Sequence, residues 1–354
     1  MDNILPAYDD PLFSILIIVI LILIIAVSSY VMGNLKEERK EKSLQHFLNR
    51  FNTEECPLEI EEMPFESTLI KPLKLLAYAF KNQGEYQKAI NLNLYLIENI
   101  PNFQDKKEIL AQLGQTYLKA GFLKRAEAIF LQILHKHARN KEALYYLGIV
   151  YELLHEYDKA LETLVPLKLL GEETEYLEAH LKLNELLNNK TLNRKQKVEQ
   201  LVPLLENPFY DYRRIMKALF QLDVPSAWGN LNPSKVESML DILWFLPLSN
   251  LNFDIISADK TLSAIFFAKG SLTLDENSEK NVIKKSNIFV IDTIVSAKIG
   301  GNHQVDINFS YGCTKCKQHF PIAFTRCPQC YAIDAIQIKE TVAKKRSQTG
   351  YSLL

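Results

Sequence analysis

"QLGQTYLKAGFLKRAEAIF" (112–130) and "YLGIVYELLHEYDKALETL" (146–164) superimpose at an offset of 34 residues. An earlier copy, "LLAYAFKNQGEYQKAI" (75–90), precedes the first by 37. Ala77, Gly114 and Gly148 lead the three copies. Phe80, Tyr117 and Tyr151 follow three residues later, and Ala89, Ala126 and Ala160 close them. A small residue lets one helix approach its neighbour, and the aromatic fills the space beside it. A period of 34 with this pattern reads as a helix–turn–helix unit resembling the tetratricopeptide repeat. Such units cannot bury their faces alone and stack into a superhelix with a groove. Residue 73 is Leu where that pattern has tryptophan, and Pro101 stands where a proline closes a unit.

Outward from the repeats the pattern weakens. Segments after residue 170 are amphipathic and helix-length, and read as degenerate repeats or capping helices to about Leu222. The repeat domain is therefore placed at 70–222. "VPSAWGNLNPSK" (224–235) is a break, and 236–246 is expected to form one more helix. "NFDIISA", "SAIFFAKGSLTL", "NIFVIDTIVSAKI" and "HQVDINFSYG" are short, β-branched and aromatic, so 248–311 is expected to be β-rich within a 223–310 segment.

Toward the start, "LFSILIIVILILIIAVSSYVM" (12–32) has no charge over a length that spans a bilayer core of roughly 30 Å. Lys36, Arg39, Lys40 and Lys42 follow it, whereas residues 1–11 carry Asp2, Asp9 and Asp10 and no basic residue. Basic flanks stay in the cytoplasm. The expectation is a single-pass inner-membrane anchor with residues 1–11 outside and the bulk of the chain cytoplasmic. Residues 33–69 then form a charged juxtamembrane helix and an acidic linker, in which Cys56 is assigned no role.

The end carries the chemistry. "CTKCKQHFPIAFTRCPQC" (313–330) holds four of the five cysteines as two Cys-x-x-Cys pairs. Each pair makes a knuckle aiming two sulfurs at one point, and two knuckles close a tetrahedron around zinc or iron. A reducing compartment disfavours disulfides. Cys313, Cys316, Cys327 and Cys330 are thus expected to hold one structural metal ion within a module at 311–336. Zinc is favoured over iron, and spacing alone leaves the choice open. Four sulfurs leave no position for a reacting water. His319, between the pairs, is expected to be exposed, and a basic tail occupies 337–354.

Elsewhere no Gly-rich phosphate loop, nucleophile elbow, His-Glu-x-x-His cluster or paired catalytic carboxylate occurs. Asp254, Asp259, Asp292 and Asp306 read as surface or turn residues. The net charge of -1 gives no general reason to expect a nucleic-acid partner. The composition, with only 12 Gly and 14 Pro in 354 residues, suits a mainly helical chain.

The architecture resembles the bacterial lipopolysaccharide assembly protein B family: an inner-membrane anchor, cytoplasmic tetratricopeptide repeats and a rubredoxin-like, zinc-ribbon-like pair of knuckles. The resemblance covers the anchor, roughly 70–205, and 311–336, most specifically "YGCTKC" and "CPQC". It implies a non-catalytic adaptor that brings a membrane protease to the deacetylase of lipid A synthesis, with the four cysteines as metal ligands. Glycine often follows the second cysteine of each knuckle in that family, and here Lys317 and Tyr331 stand there. A generic membrane-complex scaffold is one alternative. A nucleic-acid-binding ribbon using Lys315, Lys317, Arg326, Lys344, Lys345 and Arg346 is another, and electron transfer through an iron site is a third.

Overall fold

The computed structural model describes residues 65–272 and 286–345. The expected membrane span at 12–32, the juxtamembrane and linker segment up to residue 64, and Cys56 lie outside them. Among the described residues no helix is long and apolar enough to cross a membrane. The chain divides into two compact units, one ending at Tyr95 and one beginning at Leu96.

The first unit holds helix α1 (Ile70–Gln83) and the start of α2 (Tyr86–Asn99). Gly84, in the left-handed region at φ 86°, ends α1 and turns the chain. Ala77 and Leu92 are fully buried, packed by Leu73, Phe80 and Tyr95.

The second unit opens with two helix pairs: α3 (Phe103–Lys119) with α4 (Leu123–Lys136), then α5 (Lys141–Leu153) with α6 (Tyr157–Leu169). Each packs on the next, giving a helical-hairpin repeat. Asn102 and Asn140 cap α3 and α5 by accepting from Gln104 N and Ala143 N. A Cβ built on Gly114 would lie 2.8 Å from the Phe130 ring, and one on Gly148 would lie 2.7 Å from Thr163 Oγ1. The small leading residues are therefore where paired helices touch, and Ala126 and Ala160 are fully buried opposite them. The turns match as well. Gly121 is left-handed at φ 81°, and His155, 34 residues on, takes φ 60° without glycine's freedom.

Helices α7 (Glu175–Asn188), α8 (Arg194–Leu201) and α9 (Tyr212–Leu222) follow, as expected for the region after residue 170. Asn193 and Gln196 form a reciprocal capping box on α8. Two short helices, α10 (Val224–Gly229) and α11 (Leu240–Trp244), continue a core built on Phe220, Trp228, Leu243 and Phe266.

The expected β-rich segment is corrected here. "NFDIISA" and "SAIFFAK" lie in helices α12 (Phe253–Ala258) and α13 (Lys260–Lys269), and "NIFVIDTIVSAKI" lies mainly in α14 (Phe289–Ile299). Their β-branched and aromatic residues pack into the core that α9–α11 begin, and tertiary burial overrides strand propensity. Asn252 and Asp259 cap α12 and α13 by accepting from Ile255 N and Leu262 N, and Gly270 ends α13 at φ 88°. Asp292 accepts from both the backbone and hydroxyl of Ser286 at 2.7 Å. Asp259 and Asp292 thus fill the turn roles expected of them.

Among the described residues, only the last of those runs forms a strand, β1 (Val305–Cys313). It sits in a three-stranded antiparallel sheet, order β2-β1-β3, with β2 (His319–Phe320) and β3 (Ile336–Lys344). Residues 337–344 of the segment read as a basic tail thus belong to β3, paired along its whole length with β1.

Candidate metal centre

The sheet brings the cysteines together. Cys313 ends β1, and β2 folds back so that Cys313 N donates to Gln318 O at 2.9 Å. Lys317 N donates to Cys313 O at 2.9 Å, closing the first knuckle. The second repeats the geometry: Cys327 N to Ala332 O and Tyr331 N to Cys327 O, both 2.9 Å. Each knuckle turns through a left-handed residue after its second cysteine, Lys317 at φ 63° and Tyr331 at φ 59°. The positions where glycine would be at ease keep the glycine conformation without glycine.

All four sulfurs lie within 4.8 Å of one another. Cys313 and Cys330 sulfurs are 3.7 Å apart, and those of Cys316 and Cys327 are 3.6 Å apart. A tetrahedron with metal–sulfur bonds of about 2.3 Å has edges of about 3.8 Å, so the spacing fits a four-coordinate ion. The four thiols are unequal. Burial pushes the Cys327 thiol up to about 12 and the Cys330 thiol upward too. Burial also opposes ionisation of Cys313, but the backbone N–H groups of Cys316 and Lys315 bring it down to about 7. Four adjacent thiolates need a cation among them, and four sulfurs saturate it. Phe320 and Phe324, edge to face at 5.2 Å, shield the cluster together with Ala332 and Ala335. His319 is exposed and outside the cluster, its Nε2 2.8 Å from Lys339 Nζ.

Two polar clamps, invisible in the spacing, fix this module on the helices. Arg326, just before Cys327, directs Nε to Glu152 Oε2 of α5 at 3.0 Å and Nη2 to the same oxygen. Its Nη1 donates to Tyr331 O at 2.6 Å, so it also ties the knuckle to itself. Glu152 Oε1 lies 2.8 Å from Nε2 of the buried His180 on α7, and Asn184 donates to the same oxygen at 3.1 Å. Arg214 Nη1 lies 3.1 Å from His180 Nδ1. An arginine can only donate, so the ring's other nitrogen carries the proton given to Glu152. Burial alone would raise the Glu152 pKa, but the His180 hydrogen bond and then the Arg326 charge bring it down to about 2.

The first knuckle has its own clamp. Tyr311, two residues before Cys313, donates to Asp241 Oδ2 at 2.9 Å, and Arg213 pairs with that oxygen. Burial, then the Asp241 charge, pushes the Tyr311 hydroxyl up to about 12. Arg213 and Arg214 are neighbours on α9. One serves the clamp of the first knuckle, the other that of the second. With Arg326 engaged by Glu152, one of the basic residues considered for nucleic acid is already paired.

No family model matches the chain. It is 25% identical over 172 residues to lipopolysaccharide assembly protein B of Haemophilus influenzae, covering 47% of this chain and 42% of that protein. It is 29% identical over 104 residues to lipopolysaccharide assembly protein B of Escherichia coli K12, covering 29% and 27%. The aligned segments thus span less than half of those relatives.

Proposed function

We propose that the chain is a non-catalytic scaffold for lipopolysaccharide assembly. Residues 12–32 tether it to the bacterial inner membrane with the bulk on the cytoplasmic side, and its hairpins act as tetratricopeptide units that bind protein partners. Similarity to lipopolysaccharide assembly proteins supports the assembly role, and the double clamp supports the scaffold role: Arg213 through Asp241, and Arg214 through His180 and Glu152, tie the four-cysteine module to the helices of the second unit. A closed four-sulfur set gives an ion no open coordination position, so the ion's work is to hold shape. Cys313, Cys316, Cys327 and Cys330 would hold it, and zinc, the commoner structural ion, is proposed over iron. Tethering confines the repeats to a thin layer and raises their effective concentration toward membrane partners. The finer role is recruitment of a membrane protease to an enzyme of lipid A synthesis.

Crosslinking the full-length chain in its native membrane tests this. Recovery of lipopolysaccharide-synthesis proteins together with a membrane protease is expected. Recovery of neither, with the protein folded and abundant, contradicts the proposal.

A further inference from the structure

Among the described residues, strand β3 lies at the sheet's margin, with β1 on one side and no strand on the other. Its register shows which groups face out. Thr314 N donates to Ala335 O at one end and Lys345 N to Gln304 O at the other, both at 2.7 Å. Both belong to the register that pairs Asp306 with Ala343 and Gly312 with Gln337. Hydrogen-bonded pairs alternate along an antiparallel ladder. The backbone groups of Gln337, Lys339, Thr341 and Ala343 therefore face β1, and those of Ile336, Ile338, Glu340 and Val342 face outward. Among the described residues, no other element bonds to these outward groups.

Beside the strand runs an open cleft of about 690 Å³, lined by Ile336, Ile338 and Glu340 from β3. Across it stand Tyr176 and Phe209, edge to face at 5.1 Å and both exposed. Asp211, Glu237 and Asp334 add carboxylates to that of Glu340. The two basic residues of the lining are engaged: Arg213 with Asp241, and Lys235 over the Tyr212 ring at 4.1 Å.

We propose that the outer margin of β3 is a strand-pairing site that takes an extended, basic segment of a partner protein as a fourth strand. Unpaired main-chain donors and acceptors supply affinity in such additions, and alternate side chains supply specificity. Ile336, Ile338 and Glu340 alternate along β3 and so share the face that lines the cleft, where the isoleucines and the aromatic wall suit apolar residues and Glu340 with the other carboxylates suits Arg or Lys at a further position on that same face. A second copy of this chain is disfavoured, because pairing two such margins would bring two identical carboxylate sets together. The inference gives the scaffold reading a defined partner surface and rests on that reading for its biological meaning. Pairing is read on β3 amides whatever crosslinking recovers, so the two fail separately.

The test uses the full-length chain and two synthetic nine-residue peptides, matching the nine residues of β3, with threonine along one face and, along the other, valine alternating with arginine in one peptide and with glutamate in the other. Fluorescence anisotropy reports binding, and residue-resolved amide exchange reports the site. The arginine peptide is expected to bind and to slow exchange at Ile338, Glu340 and Val342. The glutamate peptide is not. Ile338→Pro removes an outward donor without touching a bond to β1 and should abolish binding with metal content unchanged. Should that variant unfold, Glu340→Lys decides, since it should weaken the arginine peptide and leave folding intact. The proposal is overturned if neither peptide binds, if Ile338→Pro or Glu340→Lys binds the arginine peptide as wild type does, or if the outward amides of the free protein already exchange as slowly as those of Gln337 and Lys339. That last result would mean another segment or a second copy covers the margin.

Discussion

Arg326 and Glu152 are separated by 174 residues in sequence, yet their charges meet with Nε 3.0 Å from Oε2. Both side chains are buried, at 7% and 9% exposure. Removing one partner leaves the other as an uncompensated buried charge, which costs about 3–5 kcal/mol. Arg326→Met should therefore lower stability by that order. Adding Glu152→Gln should cost less than the sum of the two single changes, because the pair is coupled. Denaturant titration of the four proteins checks this, and strict additivity would mean the two side chains do not interact in solution.

Acid should expose the same clamp. Glu152 is held down to about 2 from an ordinary 4.5. A depressed carboxylate contributes its stability in full above the unfolded value and loses it as pH falls through the folded one. The loss should run from about pH 4.5 to about pH 2 and amount to about 3 kcal/mol relative to Glu152→Gln. Any effect of acid on the cysteine cluster is common to both proteins and drops out of the difference. Equal acid sensitivity in the two would contradict the assigned environment.

Gly114 and Gly148 should not be equivalent. A Cβ at Gly114 meets the ring of Phe130, a fully buried side chain, whereas one at Gly148 meets the Thr163 hydroxyl. Thr163 can turn away, at the loss of its 2.7 Å hydrogen bond to Ala160 O. Both Gly→Ala changes should destabilise by about 1–3 kcal/mol, with Gly114→Ala the worse. Thermal melts rank them. Unchanged melting in both would misplace the helix contacts.

The knuckle turns give a prediction of opposite signs. Lys317 is exposed and sits in the left-handed region, so Lys317→Gly should stabilise by about 1 kcal/mol or less. Tyr331 shares that conformation but packs edge to face on Tyr146 at 6.5 Å. Tyr331→Gly should therefore lower the melting temperature. Destabilisation by both changes would show that conformation at these turns does not govern their residue preference.

These contrasts mark what the sequence could reveal. The repeat phase was legible because the small, aromatic and alanine positions recur in one chemical order, and they fall at the same helix contacts. The four cysteines were legible because the spacing itself encodes the knuckle. The helices α12–α14 were not, because Ile, Val and Phe in short buried runs satisfy a strand pattern as well as a helical one. The signals that favour helix there are local: Asn252 and Asp259 as caps and Gly270 as terminator. The clamps were beyond reach for a different reason. Glu152, His180 and Arg214 are ordinary helix residues until the fold brings them to Arg326. The one hint was a basic residue directly abutting Cys327.

The central claim is that Cys313, Cys316, Cys327 and Cys330 hold one ion that completes a module clamped to the helical body. Elemental analysis of the full-length protein, purified under reducing conditions alongside Cys327→Ser, tests it most directly. One zinc or iron per chain in the wild type, with its loss in the variant while the repeat helices persist, is the predicted result. Wild-type protein without either metal, or a variant retaining full metal content, would contradict it.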